Sequence, residues 1–467
     1  MTMATQDLTK LSIAQVSELI KSLQVSPVEL TDATLARIDE LDGTINSYIT
    51  VMEDQARQSA KEAERRIRDG QYLGPLDGVP IGLKDIIYTR DVRTTCGSKV
   101  FTDLVPNYDA TVTKRLAAAG AVIVGKQGCY EFAIAPPNPL YGSSRNPWNT
   151  TCDTGGSSSG TGAAIAAYLC YGGIGTDTGG SIRNPAGVCG VVGLKQTYGR
   201  ASRSGVFPLA WSLDHVGPMA RTVEDAAIIL QAIAGYDPND PSTVDLPVPN
   251  YSHALTGQVR GLRAGVPTNY FFDGVHPEVE QSVRQAIKVL EGAGISVEEV
   301  TIPHGEYIMP AWSTIISAEA AAVHAPLIQT KGADYSQQVL SAVGPGAFVT
   351  SGALFKAQQA RSMITRGMNE VLEKVDVLLT PTVPFVAWPL SAEGYHSLGG
   401  TTVEAVTKLA FTTAVFNLTG HPAISVPCGL NSEGLPIGLQ IAGRAFDEAT
   451  VIQVAHAYEQ LAPPPRL

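Results

Sequence analysis

The stretch VPIGLKDII (79–87) sets the reading of the fold, because a short apolar run broken only by Lys84 and Asp85, entered through the turn residue Gly78, describes a strand buried on both faces. The next segment, DATVTKRLAAAG (109–120), has helical spacing, and a second short apolar run, AVIVGK (121–126), comes directly after it. Strand, helix, strand at this pitch predicts an α/β sheet covered by helices. The pattern returns downstream: helix TVEDAAIILQAIAG (222–235), strand LRAGVP (262–267), helix from Pro277 to Gly294, strand ISVEEVTI (295–302), helix ALFKAQQARSMITRGMNEVLEKV (353–375), then strands DVLLTPT (376–382), AISVPCG (423–429) and LPIGLQIAG (435–443) before a closing helix after Asp447.

Outward from this core, residues 1–70 read as three peripheral helices. Ser26 followed by Pro27 and Glu29 is a start signal, and Gly70 ends the charged segment that begins at Glu53. The segment GYDPNDPSTVDLPVPNYS (235–252) reads as a surface excursion, so a single domain over 1–467 is expected, with a core at 74–230 and a variable wall of the substrate entrance at 304–355.

Composition narrows the function. Hydrophobic residues make up 44% and charged residues 16%, which excludes a disordered chain. The 44 acidic residues exceed the 33 basic ones by 44 − 33 = 11, and no Lys/Arg run offsets this, so neither nucleic acid nor an anionic membrane is expected as a direct partner. Six scattered cysteines form no CxxC pair, which suggests neither a disulfide framework nor a zinc site. The first residues lack the blocks of a signal peptide and no apolar run spans a bilayer, so the cytoplasm is the expected location. The sequence leaves the oligomeric state open, a homodimer being compatible with it.

Two glycine and serine clusters, GGSSSG (155–160) and DTGGSIR (177–183), stand within one short window. Gly160 is followed by Thr161 and Gly162 where a Walker loop needs Lys and then Ser or Thr, which argues against a phosphate cradle. Ser158 formally centres a GxSxG, but the polar stretch NPWNTTCDT (146–154) before it is not the strand that a nucleophile elbow requires. No histidine has a recognisable catalytic setting, which leaves a Ser-His-Asp hydrolase as a lesser alternative. A buried lysine can serve in its place. Moving its pKa from ~10.4 towards 7 costs roughly 4–5 kcal/mol, and a dry pocket imposes that. Lys84, flanked by Ile81, Leu83, Ile86 and Ile87, is the best candidate, against the plainer readings of an edge-strand lysine or a partner of Asp85.

Five blocks, GPLDGVPIGLKD (74–85), GGSSSGTGAAIAA (155–167), GTDTGGSIRNPAGVCGVVGLKQTYGR (175–200), SLDHVGPMARTVEDAA (212–227) and GLPIGLQIAG (434–443), together resemble the amidase signature family in order and spacing. The resemblance implies a single α/β fold with a large twisted mixed sheet covered by helices on both faces, and amide hydrolysis through a Ser, cis-Ser, Lys triad and an acyl-enzyme, with no metal or other cofactor. Matched to the motifs, Ser181 is the expected nucleophile, Ser157 the bridging serine after a cis bond from Gly156, and Lys84 the base. The amides of Thr178, Gly179, Gly180 and Ser181 are the expected oxyanion donors, each worth roughly 3 kcal/mol when well aimed. Asp177 and Arg183 are expected to hold the nucleophile loop, and Ser158 to bond the lysine or a neighbouring amide.

For the small-molecule amide substrate, Tyr130, Phe132, Phe207 and Trp211 are candidate lining residues, and they favour an apolar or aryl amide, with carbamates (urethanes) or esters in range. An alternative within the same family is the glutaminase component, the A subunit, of a glutamyl-tRNA amidotransferase complex. YGRASRSG (198–205) and SLDHVGP (212–218) resemble it, and Arg361 matches its arginine for a substrate carboxylate, whereas His215 stands where it usually has Gln and FPLAW (207–211) looks more like free-standing amidases. A non-catalytic scaffold on the same fold is disfavoured because the lysine and both serines are present.

Overall fold

The computed structural model describes residues 7–390 and 407–467. The N-terminal layer comprises α1 (Ile13–Lys21), α2 (Pro27–Ile45) and α3 (Glu53–Arg68). The expected start of α2 is present: Pro27 occupies its first turn, and the Ser26 hydroxyl and Glu29 carboxylate close a capping box. This layer also holds an element absent from the sequence reading. Residues Tyr48–Val51 form a strand, β1, that pairs antiparallel with Val122–Gln127 and so closes one edge of the sheet.

The remaining strands are β2 (Pro80–Lys84), β3 (Val122–Gln127), a two-stranded outlier of β4 (Arg145–Asn146) and β5 (Asn149–Asp153), then β6 (Gly172–Asp177), β7 (Val192–Lys195), β8 (His215–Ala220), β9 (Arg263–Pro267), β10 (Ser296–Val300), β11 (Val377–Pro381), β12 (Ala423–Leu430) and β13 (Pro436–Gly443). Eleven of them form one sheet in the order β1-β3-β2-β6-β8-β7-β12-β13-β11-β9-β10. The sheet is mixed: β2 runs parallel to β3 and β6, while β6 and β8, and β12 and β13, are antiparallel. Helices cover it, among them α4 (Thr111–Ala118), α5 (Ser159–Ala166), α6 (Arg183–Cys189), α7 (Val223–Ile233) and α8 (Pro277–Gly292). Further along lie α9 (Gly305–Lys331), α10 (Gln337–Val343), α11 (Ser351–Lys374), α12 (Ala414–Thr419) and α13 (Glu448–Leu461). Among the described residues no single helix is long and apolar enough to cross a membrane.

Every residue of β2 and β6 is buried, as continuous apolar or small-residue runs in a central strand require. The excursion at 235–252 is irregular, as expected, but it also points inward. Asp237 accepts hydrogen bonds from the hydroxyls of Thr111 and Ser202, and Asp240 from the Arg203 amide, so both carboxylates are buried.

Candidate active site

Lys84 is the last residue of β2, between β3 and β6, and is fully buried. Its Nζ lies 2.8 Å from Ser157 Oγ and 2.8 Å from Thr176 Oγ1. Burial pushes its pKa down from 10.5 to about 8, against the pull of Cys129, Asp177 and Asp214. The edge-strand and Asp85 readings therefore both fail, since Asp85 faces Lys126 at 3.5 Å instead. Two other lysines are equally buried. Lys126 spends its amine on the Ile87 carbonyl and Thr94, and Lys195 on the carbonyls of Gln196 and His421, so of the three it is Lys84 that reaches a serine.

Ser157 follows a cis peptide bond from Gly156. A side chain at Gly156 would meet the Tyr130 ring at 2.5 Å, so only glycine fits under that ring. Ser157 and Ser181 line one small cavity, and the Ser158 amide donates to the Ser181 carbonyl at 3.2 Å, tying the two turns together. Ser158 does not touch the lysine. Its hydroxyl brackets Thr176, accepting from the Thr176 amide and donating to its carbonyl, both at 3.3 Å. Thr176, which no sequence motif singles out, is the lysine's second partner.

The loop that bears Ser181 is wound around the Asp177 carboxylate. It accepts from the amides of Gly180 and Ile182, at 2.8 and 3.2 Å, and from Arg183 Nε and Nη2, at 3.0 and 2.8 Å. Burial alone would raise the Asp177 pKa, but the Arg183 guanidinium outweighs it and holds the carboxyl well below the usual range. Arg183 also reaches the Thr413 carbonyl, Gln440 Oε1 and Asn417 Oδ1. The pair is thus joined to a network of three residues from much later in the chain. Removing one partner of such a buried pair strands the other charge. Arg183→Met is therefore expected to destabilise the fold by about 3–5 kcal/mol, read as a lowered midpoint in urea unfolding.

This wiring also revises the oxyanion donors. The Gly180 amide is taken by Asp177 and is not available to a ligand, which corrects the expected set. Trp312 Nε1 donates to the Thr178 carbonyl at 3.0 Å, and the Asn184 amide to the Gly180 carbonyl at 2.6 Å. Each peptide's N–H points opposite its C=O, so these bonds turn the amides of Gly179 and Ser181 the other way. Those two amides have no partner among the described residues, and Thr178, Gly179 and Ser181 all line the cavity. Gly180, at φ +125°, supplies the turn.

Of the four aromatic candidates, Tyr130 lines this cavity. Phe132 is packed in the core, its ring within 5.2 Å of those of Phe207 and Tyr335. Phe207 and Trp211 line a neighbouring cavity, where Trp211 is half exposed and its ring is covered by Arg203. Trp312 and Ile316 of α9, within the motif-poor 304–355 region, line the same cavity as Tyr130. Arg361, on α11, does not line this cavity: it donates to the Leu418 carbonyl of α12 and to the carbonyl and hydroxyl of Ser212. Among the described residues no group of three or more His, Cys, Asp or Glu is arranged to hold a metal ion.

A buried amine, two serines on interlocked turns and free amides beside one of them, on an eleven-stranded mixed sheet, define an amide-cleaving class of enzyme. The chain belongs to the amidase family, whose model matches residues 29–452, and it is an enzyme acting on amide bonds. Among proteins of known sequence it is 43% identical to the A subunit of the glutamyl-tRNA(Gln) amidotransferase of Roseiflexus sp. (strain RS-1), over 97% of each chain. Among solved structures it is similar to one described as a vestigial protein complex revealing the evolutionary origins of an s-triazine catabolic enzyme, with a TM-score of 0.91 and 31% identity over 98% of this chain and 100% of that one. It is also similar to a bacterial aryl acylamidase, with a TM-score of 0.89 and 27% identity over 97% of this chain and 96% of that one.

Proposed function

We propose that the chain cleaves a carboxamide through an acyl-enzyme on Ser181, with Ser157 as bridging hydroxyl and Lys84 as base, and that it works as the amide-hydrolysing component of an assembly, releasing ammonia from glutamine. The observation that carries the relay is the 2.8 Å contact between a dry amine and Ser157 on the wall of the cavity that Ser181 also lines. In its neutral form Lys84 takes a proton from Ser157 as Ser157 takes one from Ser181, whose oxygen attacks the carbonyl carbon. The oxyanion meets the amides of Gly179 and Ser181, each worth roughly 3 kcal/mol. The same chain of hydroxyls, run backwards, protonates the leaving nitrogen, and water then releases the acid.

The assembly and the glutamine substrate are supported by the 43% identity to an amidotransferase component, unbroken over nearly the whole of both chains. A specific observation favours a second reading, the self-sufficient hydrolysis of an apolar or aryl amide, carbamate or ester. Among the described residues the cavity wall is built from groups such as Ala133, Ile134, Leu209, Trp312 and Ile316, with no charged side chain. The ammonium and carboxylate of free glutamine would find no counter-charge there, and leaving them unpaired costs several kcal/mol. The purified chain assayed alone on glutamine, 4-nitroacetanilide, a phenyl carbamate and 4-nitrophenyl acetate separates the two. Slow release of ammonia from glutamine, accelerated by co-expressed partner proteins, is the expected result. Fast anilide or carbamate cleavage without glutaminase activity replaces it with the second reading.

A further inference from the structure

Tyr130 is fastened to the Ser157 turn at both ends. Its amide donates to the Ser157 carbonyl at 3.1 Å, and its phenol donates to Asp153 Oδ1 at 3.0 Å. The same Oδ1 accepts from the Gly155 amide at 2.7 Å, one residue ahead of the Gly156–Ser157 bond. Between these anchors the ring lies over Gly156, with no room for even a Cβ. Asp153 is itself fixed as the last residue of β5: its amide donates to the Trp388 carbonyl at 2.7 Å and its carbonyl accepts from Asn146 Nδ2 at 3.2 Å. The carboxylate thus grips both the cavity-wall ring and the backbone that presents the bridging serine.

We propose that Asp153 and Tyr130 are positioning residues that together hold the Ser157 hydroxyl in line between Lys84 and Ser181, and that the clamp works fully only while Asp153 is ionised. The proposal rests on the reading of Ser157 as the proton bridge. A carboxylate accepting a phenol and a backbone amide makes charge-assisted bonds, about twice as strong as neutral ones, and protonation forfeits that strength.

The environment places the switch in an accessible range. Burial raises Asp153 to about 6, opposed by the hydrogen bonds from Tyr130 and from the amides of Gly155 and Thr154. The titratable groups facing it are the Tyr130 phenol, the Cys189 thiol of α6, which burial pushes well above its usual value, and the neighbouring Cys152 thiol, also raised by burial, so both thiols stay neutral across that range. Around Lys84, burial pushes Cys129 up to about 12 and Asp177 stays ionised, while burial raises the Asp214 carboxyl, which contacts Thr178 and neither clamp residue. Comparing the wild type with a clamp variant therefore isolates Asp153.

The test is the rate at which a fluorophosphonate labels Ser181, followed by intact mass between pH 5 and pH 9, because it needs no knowledge of the substrate. The Ser181 oxygen forms the P–O bond as the P–F bond breaks, fluoride leaves and the serine proton passes to Lys84. Below the Lys84 transition near 8 the logarithm of the rate falls with unit slope, and below about 6 the wild type is expected to steepen to a slope of about 1.5, an added fall of about tenfold, as Asp153 also protonates. Tyr130→Phe keeps the ring and removes only its hydroxyl. At pH 7 it is expected to lower the limiting rate about tenfold with KI within about twofold, and to hold unit slope throughout. Asp153→Asn is expected to do the same, and Tyr130→Phe alone decides if that variant does not fold. An unchanged limiting rate in Tyr130→Phe, a loss confined to KI, or a steepening below about pH 6 that survives the substitution overturns the clamp. Failure of the relay itself looks different: the wild type would then lack labelling at Ser181 or the transition near 8.

Discussion

Ser181→Ala leaves a folded enzyme whose turnover is lower by roughly 10⁴- to 10⁶-fold, the range seen when a covalent nucleophile is removed from a cooperating set. Among the described residues nothing else on the cavity wall can replace it. Ser157 is committed to Lys84 at 2.8 Å, and it lacks the free amide pair that the Trp312 and Asn184 bonds provide beside Ser181. Fold is expected to be indifferent to the change, because the loop is held through Asp177 and Arg183 and not through the Ser181 hydroxyl. Loss of fluorophosphonate labelling with an unchanged melting temperature checks both halves. Labelling that persists at Ser157 or Ser158 in the variant would move the nucleophile.

Lys84→Met is expected to cost roughly 10²- to 10⁴-fold in kcat, the usual worth of a positioned proton acceptor. The wild-type rate should climb with pH as Lys84 loses its proton and level off above about 8, whereas the variant should lack that limb. Stability should move the opposite way. A lysine whose folded pKa lies below its unfolded value binds fewer protons when folded, so the wild type gains stability as pH rises from about 8 to 10.5 and carries the full penalty below that window. Methionine carries no such penalty. At pH 7 the variant should be more stable by up to about 3 kcal/mol, less whatever the Ser157 and Thr176 hydroxyls lose with their partner, and the advantage should shrink between pH 8 and 10.5. Melting temperatures across that range check the sign, and a variant that melts below the wild type at every pH would show that the amine sits in a wetter site.

How much of the molecule is legible in its sequence depends on how local each signal is. Lys84 was legible because PIGLK is an unbroken apolar run up to the lysine, and such a run in an α/β pattern belongs to an inner strand where a lysine must be dry. The two serines came from motif resemblance, since glycine-rich turns look alike until their partners are known. Strand β1 was hidden by its length of four residues between two strong helices. Of the four aromatic candidates, Tyr130 lines the cavity and Phe132 does not, for a geometric reason. Tyr130 and Phe132 would share a face in an extended strand, but Phe132 and Ala133 take left-handed backbone, φ +51° and +62°, which swings Phe132 into the core. Trp312, Thr413 and Asn417 could not be found at all, because each is an ordinary residue of an ordinary helix or turn until the chain brings it beside residues 177–184, and Gln440 lies in a quoted block that gives no hint of its partner. Arg361 shows the reverse: a matching position identified it, and its bonds are to Ser212 and Leu418, outside the cavity lining.

The grip of Arg183 on Thr413, Asn417 and Gln440 has a consequence for how the site is completed. Every block that carries a reacting group is complete by residue 200, yet Arg183 gains its partners Thr413, Asn417 and Gln440 only from residues 413–440. The buried brace beneath the Ser181 loop is therefore complete only once the carboxyl-terminal strand β13 is in place.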